Sequence, residues 1–320
     1  MNGSVEILRA VIRSGADYLE RKAATVLDGD SGWAVAKELM AGLLDCPAAA
    51  LSMRMDQRPE AAVLTAFQDA LSRFAAGERL AYILGYSWFC GLRIRVGRGV
   101  MIPRPDTEVL VQQAVDCLID LAEQSVSEPE REDPEPLRML EVCTGSGCIS
   151  LAVRDQYRRR WHRGMPALQI DAGDLDEAAL AFARINVGQA RADSDIHLFL
   201  SDLTQDLPEP GRRYDLLAAN PPYIRTEVVR ALDRGVRDFE PFRALNGGAD
   251  GLDFYRRLLD EGARVLRPGG SMLLEHGYDQ KAALMAELTD SAAWTAVRYE
   301  PDLSGRDRVL LARLATPAEC

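Results

Sequence analysis

Residues 137–153 read "LRMLEVCTGSGCISLAV". An apolar run ends at Glu141, a cluster of small residues follows, and apolar residues then recur at helical spacing. That order reads as a buried strand, a tight turn and a helix. Small residues let the backbone approach a ligand closely, and a helix amino terminus offers unpaired N–H groups. Downstream, apolar runs alternate with helical stretches: "ALQIDAG" (167–173), "IHLFLSD" (196–202), "YDLLAAN" (214–220) and, after a helix around 251–265, "SMLLEHG" (271–277). Alternation of this kind implies a parallel sheet covered by helices on both faces. The last two runs, "WTAVRYEPDL" (294–303) and "RDRVLLARL" (306–314), have no helix between them and read as an antiparallel hairpin. The expected fold is α/β with seven strands.

Upstream the pattern changes. Over residues 1–80, Leu8, Val11 and Ile12, then Trp33, Ala36, Met40 and Leu44, then Val63, Ala66, Phe67, Ala70, Leu71 and Phe74 recur at the spacing of one buried helix face. A helical domain is expected there. Residues 81–102 carry β-branched and aromatic residues punctuated by Gly85, Gly91, Gly97 and Gly99, a β-hairpin connector to the larger domain over 103–320. A helix should occupy about 106–123. The acidic, proline-bearing stretch "EQSVSEPEREDPEP" (123–136) is too polar to pack and is expected to be an exposed loop.

Composition narrows the function classes. The 320 residues carry a formal charge of −11, which disfavours a surface tracking nucleic-acid phosphates. With three histidines and no CxxC pair among six cysteines, neither a zinc site nor a disulfide framework is expected. No apolar run approaches the roughly 18 residues of a membrane span, so a soluble, cytoplasmic protein without membrane partners is expected.

The glycine loop does not complete a dinucleotide fingerprint, because Cys148, Ile149 and Ser150 follow Gly147 and no third glycine appears. A ligand with ribose and adenine but no phosphate fits better. Asp174, beyond the second strand, can accept from both ribose hydroxyls, and Asp202, beyond the third, can receive the adenine amine. A lone acid in a loop is ordinarily there for solvation. Glu141, Asp174 and Asp202 stand at successive strand carboxyl ends, the edge along which such sheets bind ligands. Asn220 closes the fourth strand on the same edge, and Pro221 and Pro222 end its ladder and stiffen the exit.

At this point the sequence resembles the HemK/PrmC class of S-adenosylmethionine-dependent protein-glutamine methyltransferases. The resemblance covers almost the whole chain. It is carried by "YILG" (82–85), "IPRPDTE" (102–108), "EVCTGSGCISLAV" (141–153), "SDL" (201–203), "NPPYI" (220–224), "EPFRALNGGADGLDFYRRLL" (240–259), "LRPGGSMLLEHGYDQ" (266–280) and "DLSGRDRVLLAR" (302–313). Asn-Pro-Pro-Tyr alone is shared with adenine-amino methyltransferases, whereas "PRPDTE" and "GGADGLDFYRR" point to the enzymes that act on release factors. The resemblance implies a Rossmann-like class I methyltransferase sheet behind an N-terminal helical bundle. It also implies methyl transfer to the glutamine of the Gly-Gly-Gln motif of class-1 peptide chain release factors, by an enzyme that needs no metal and acts as a monomer. Another protein glutamine, or a nucleic-acid adenine, is the alternative substrate. The implied cofactor residues are Glu141, Cys143, Thr144, Gly145, Ser146, Gly147, Asp174, Leu175, Asp202, Leu203 and Asn220. Asn220 and the Pro221 carbonyl inherit the roles of acceptors for the amide hydrogens, with Pro222 stiffening the exit and Tyr223 as an aromatic wall. Arg104 and Glu108 are expected at the substrate mouth, and residues 1–80 as a docking domain for the protein substrate. One departure stands out: Cys143 replaces the first glycine of the family loop.

Overall fold

A computed structural model of the protein describes residues 7–27, 29–126, 135–289, 291 and 293–317. The backbone forms two compact units, one of Met1–Tyr86 with Leu232–Glu240 and one of Ser87–Ala231 with Pro241–Cys320.

The first unit is helical. Its longest helices, Leu8–Lys22, Gly32–Leu43 and Ala61–Ala75, bury Leu8, Val11, Ile12, Ala36, Met40, Phe67, Ala70, Leu71 and Phe74 together. Trp33, Leu44, Val63 and Ala66 are only half-buried, and Val35 and Leu39 take the central places on the second helix. A close helix approach explains part of the register: a Cβ on Gly15 would stand 2.8 Å from the Phe67 ring. Helix Leu80–Leu84 extends this unit into the stretch expected to be connector, and Gly85 ends it in the left-handed conformation at φ 75°. The hairpin itself is short, β1 (Tyr86–Phe89) and β2 (Leu92–Arg95). Cys90 and Gly91 both have positive φ, 48° and 77°, as a two-residue hairpin turn matched to strand twist requires. The segment Leu232–Glu240 belongs with the helices: Arg79 Nη2 pairs with Asp233 Oδ1 at 3.1 Å.

The second unit is built on a seven-stranded sheet of β3 (Leu137–Val142), β4 (Leu168–Asp174), β5 (Ile196–Leu200), β6 (Tyr214–Ala219), β7 (Leu266–Glu275), β8 (Trp294–Pro301) and β9 (Asp307–Leu314). The order across the sheet is β5-β4-β3-β6-β7-β9-β8, with β9 antiparallel to both neighbours and the other pairings parallel. Strands covered on both faces are largely apolar, and β6 is buried at every position, including the charged Asp215. Register brings Val142, Gly173 and Ala219 level, so the residues after β3, β4 and β6 emerge along one edge. That edge lies where the strand order reverses between β3 and β6, the switch point of an open α/β sheet. The helix expected over 106–123 spans Glu108–Val126 behind a 3₁₀ turn at Pro105–Thr107. Most of the acidic stretch expected as an exposed loop, residues 127–134, lies outside the described residues. None of the described helices is long and apolar enough to cross a membrane.

Candidate active site

A cavity of about 640 Å³ opens at the carboxyl edge of the sheet, within the second unit. Its β3–β4 side is organised by Asp174. The carboxylate accepts the Gly145 N–H on Oδ2 at 2.8 Å and the Asp176 N–H on Oδ1 at 2.9 Å, so both oxygens are anchored by backbone. Each still has a lone pair for a further donor, because an ionised carboxylate offers about four acceptor sites. Burial raises the Asp174 pKa, and the two backbone donors work against that rise. The loop it braces starts with Thr144 N–H bonded to the Gly173 carbonyl at 3.0 Å and turns through Gly145 and Gly147 at φ 57° and 76°. Cys143 shares the left-handed region, at φ 57°, where glycine would sit without a Cβ penalty. Burial, then the nearby carboxylates of Asp174 and Glu141, push its thiol pKa well up, so it stays protonated.

Glu141 lies beneath the loop rather than in the cavity. It is fully buried and accepts both the backbone N–H of Ser150, at 2.9 Å, and the Ser150 hydroxyl, clamping the first turn of helix Cys148–Arg160. Desolvation raises its pKa to about 7. Asp202 lines the cavity, with Oδ1 taken by Arg257 Nη1 at 2.8 Å; Arg257 Nε is held in turn by Glu261 at 3.0 Å. Among the described residues none donates to the second oxygen of Asp202.

The other half of the cavity is built around Asn220. Its Nδ2 donates to the Thr107 hydroxyl at 3.2 Å, and among the described residues none donates to Oδ1. The exit from β6 is clamped by the loop 246–251. Ile224 and Asn246 form a parallel bridge, Ile224 N–H bonds the Leu245 carbonyl at 2.9 Å, and Gly247 N–H bonds the Ile224 carbonyl at 2.9 Å. A Cβ on Gly247 would come within 2.7 Å of the Pro222 carbonyl oxygen and of Tyr223 Cα, so only glycine permits this approach. Gln280 Nε2 ties the Tyr223 carbonyl to the Gly251 carbonyl at 3.0 and 3.1 Å. The Tyr223 hydroxyl reaches the buried Glu275 Oε1 at 3.5 Å. Burial together with the Glu275 charge raises the Tyr223 pKa, so the phenol stays neutral.

Of the residues singled out from sequence, Cys143, Thr144, Gly145 and Ser146 line the cavity from the loop. Asp174, Leu175, Asp202 and Leu203 line it from the strand ends, and Asn220 and Pro222 from the β6 exit. Glu141, Gly147, Pro221 and Tyr223 are not among the residues that line it. Glu108 points elsewhere: its Oε1 accepts the Cys90 N–H at 2.8 Å and holds the hairpin turn. Arg104 is half-buried, and its charge lowers the Tyr223 pKa. Sequence reading passed over Thr107, Glu275, Phe242 and Arg257. Thr107 and Arg257 sit inside the quoted "PRPDTE" and "DGLDFYRR" segments, but only their partners 113 and 55 residues away give them meaning. Phe242 is half exposed at the cavity rim. Among the described residues no cluster of His, Cys, Asp and Glu could hold a metal ion.

The domain family described as the PrmC N-terminal domain matches residues 12–85. A release factor glutamine methyltransferase of Geobacter sulfurreducens is 31% identical over 307 residues, 96% of each chain. That of Cereibacter sphaeroides is 37% identical over 281 residues, 87% of this chain and 90% of the relative. That of Thermodesulfovibrio yellowstonii is 33% identical over 234 residues, covering 73% and 76%.

Proposed function

The chain belongs to the release factor glutamine methyltransferase family, and from that membership we propose how its own cavity carries out the transfer. The cavity holds S-adenosylmethionine along the carboxyl edge, with Asp174 taking the ribose hydroxyls and Asp202 the adenine amine. The fit rests on a cavity of about 640 Å³, ample for a nucleoside and a side chain together, and on a carboxylate fixed by two backbone donors with acceptor capacity to spare. Bound there, the cofactor supplies an electrophilic sulfonium methyl.

The difficulty of the reaction lies in the nucleophile. A glutamine amide nitrogen delocalises its lone pair into the carbonyl, and no ordinary protein base deprotonates it in advance. Asn220 Oδ1 and the Pro221 carbonyl accept the two amide hydrogens and so turn the lone pair out of conjugation, toward the methyl. Rigid acceptors suit this task, because dipoles fixed before the reaction cost no reorganisation during it. Two prolines and the 246–251 clamp supply that rigidity. Tyr223, neutral and backed by Glu275, walls the planar amide. The product amide releases its proton to water, which requires no histidine. Substrate is delivered as the glutamine of the Gly-Gly-Gln motif of a class-1 release factor, with the helical unit as the docking surface.

The observation that carries this reading is the orientation of Asn220, whose amino group is spent on Thr107 while its oxygen is left to the cavity. Incubation of the purified protein with isotope-labelled S-adenosylmethionine and a class-1 release factor, followed by peptide mapping, tests it. Label on the Gly-Gly-Gln glutamine is expected. Label on another residue, or on added DNA or RNA in preference to the factor, would overturn the substrate assignment.

A further inference from the structure

From Asn220 and Thr107 in the cavity lining a run of polar side chains leads back to Glu275, whose state of ionisation plays no part in the transfer as described so far. Asn220 donates to Thr107 at 3.2 Å, Tyr223 donates to Glu275 at 3.5 Å, and the Thr107 side chain favours the ionised form of Glu275, as a hydroxyl donor does. Thr107 is 2% exposed and Glu275 1%, so water does not relieve either group. Glu275 Oε2 is buried and lacks a well-formed hydrogen bond among the described groups. A buried carboxylate short of donors claims the nearest hydroxyl proton.

Direction follows from proton counting. Threonine has one proton to give. If it goes to the Glu275 carboxylate, Thr107 can only accept from Asn220, so the amino group of Asn220 must face Thr107 and its oxygen must face away. If Glu275 carries a proton, it can donate to Thr107, whose own proton then turns to Asn220 and draws the amide oxygen inward. The acceptor at the cavity is lost in that state.

We propose that Thr107, held by Glu275, is the positioning residue that turns the Asn220 oxygen toward the cavity, so that methyl transfer requires Glu275 in its ionised form. This rests on the role given to Asn220 under Proposed function. The charges around Glu275 are set against each other: Arg308 favours ionisation and Asp106 opposes it, while Arg308 is itself paired with Asp106 and Asp302, each at 3.1 Å. The Tyr223 and Tyr255 phenols and the Cys148 thiol also sense Glu275, and Tyr255 donates to its backbone carbonyl at 2.8 Å. Burial outweighs these and places the Glu275 pKa at about 7, within reach of ordinary assay pH.

The test compares wild type, Thr107→Val, Thr107→Ser and Glu275→Gln in single-turnover methyl transfer to a class-1 release factor across pH. Calorimetric affinity for S-adenosylhomocysteine is measured alongside. Thr107→Val should lose about tenfold or more in transfer rate, as loss of orientation does, with cofactor-product affinity unchanged. Thr107→Ser, which keeps the hydroxyl, should recover most of the rate. The wild-type rate should climb as pH rises through the Glu275 titration, and Glu275→Gln should lack that acid limb. Full activity in Thr107→Val, equal losses in the valine and serine variants, or an acid limb that persists in Glu275→Gln would each overturn the proposal. Should Thr107→Val fail to fold, the serine variant and the two pH profiles still decide. A wild type that binds S-adenosylhomocysteine but transfers no methyl to the factor would overturn the functional reading, and this proposal with it; wild-type transfer with an unaffected Thr107→Val defeats this proposal alone.

Discussion

Replacing Asp174 by asparagine keeps shape and volume and changes only which atoms donate. In the native protein both carboxylate oxygens receive a backbone N–H, from Gly145 at 2.8 Å and from Asp176 at 2.9 Å. Asparagine can satisfy one of these with its carbonyl, and its amino group then points at the other donor. The unmet, partly buried N–H costs at most about 1–3 kcal/mol of stability. On the binding side, a ribose hydroxyl loses a charged acceptor, worth about 1.5–3 kcal/mol, or about 10–150-fold in the dissociation constant for S-adenosylhomocysteine. Calorimetric titration reads the second quantity, and thermal denaturation without ligand reads the first. A variant with lowered melting temperature and unchanged affinity would show that Asp174 braces the loop without touching the ligand. Unchanged affinity together with unchanged melting temperature would refute the hydrogen-bond account altogether.

Asn220→Ala should lower turnover about 10²–10³-fold, as loss of one preorganised acceptor does, with little change in cofactor affinity; near-normal turnover would defeat the lone-pair mechanism. Cys143→Gly removes a left-handed strain of about 1–2 kcal/mol and adds a chain-entropy cost of about 0.5–1 kcal/mol, so melting should shift little and cofactor binding should survive. A collapse of affinity there would mean that the thiol contacts the ligand. Glu141, whose pKa is raised by burial from 4.5 to about 7, makes the folded chain bind more protons than the unfolded one between those values, so its contribution to stability falls as pH rises across that window. The stability of Glu141→Gln relative to wild type should therefore climb from about pH 4.5 to about 7 and then level off, and a difference that stays flat in denaturant titrations would mean an ordinary carboxyl titration. A chain beginning at Ser87, with Leu232–Glu240 replaced by a short flexible linker, should bind the cofactor yet methylate the intact factor slowly; undiminished transfer would remove the helical unit from docking.

That last design differs from what the sequence alone suggests. A cut near Tyr82 follows the change from helical to strand patterning, but it passes through helix Leu80–Leu84 and strips Asp233 of Arg79. Residues 232–240 lie 146 or more positions beyond Tyr86, and no periodicity within them reports where they pack.

Local pattern determined the sheet, because a strand covered on both faces must be mostly apolar and a loop near a ligand must be small. Both demands are written in consecutive residues, as in β3, β6 and the 143–148 turn. The edge placement of Asp174, Asp202 and Asn220 followed from the same strands, since each residue comes just after a run. What tertiary structure alone decided is the pairing between edges: which end of the Asn220 amide is turned to Thr107, that Asp202 is shared with Arg257, and that Glu108 holds the hairpin turn. Hydrogen bonds of this kind depend on the register and twist that bring separate segments to about 3 Å of one another. A sequence records the spacing of residues along one element, and it carries no comparable signal for the partner that folding places opposite a side chain.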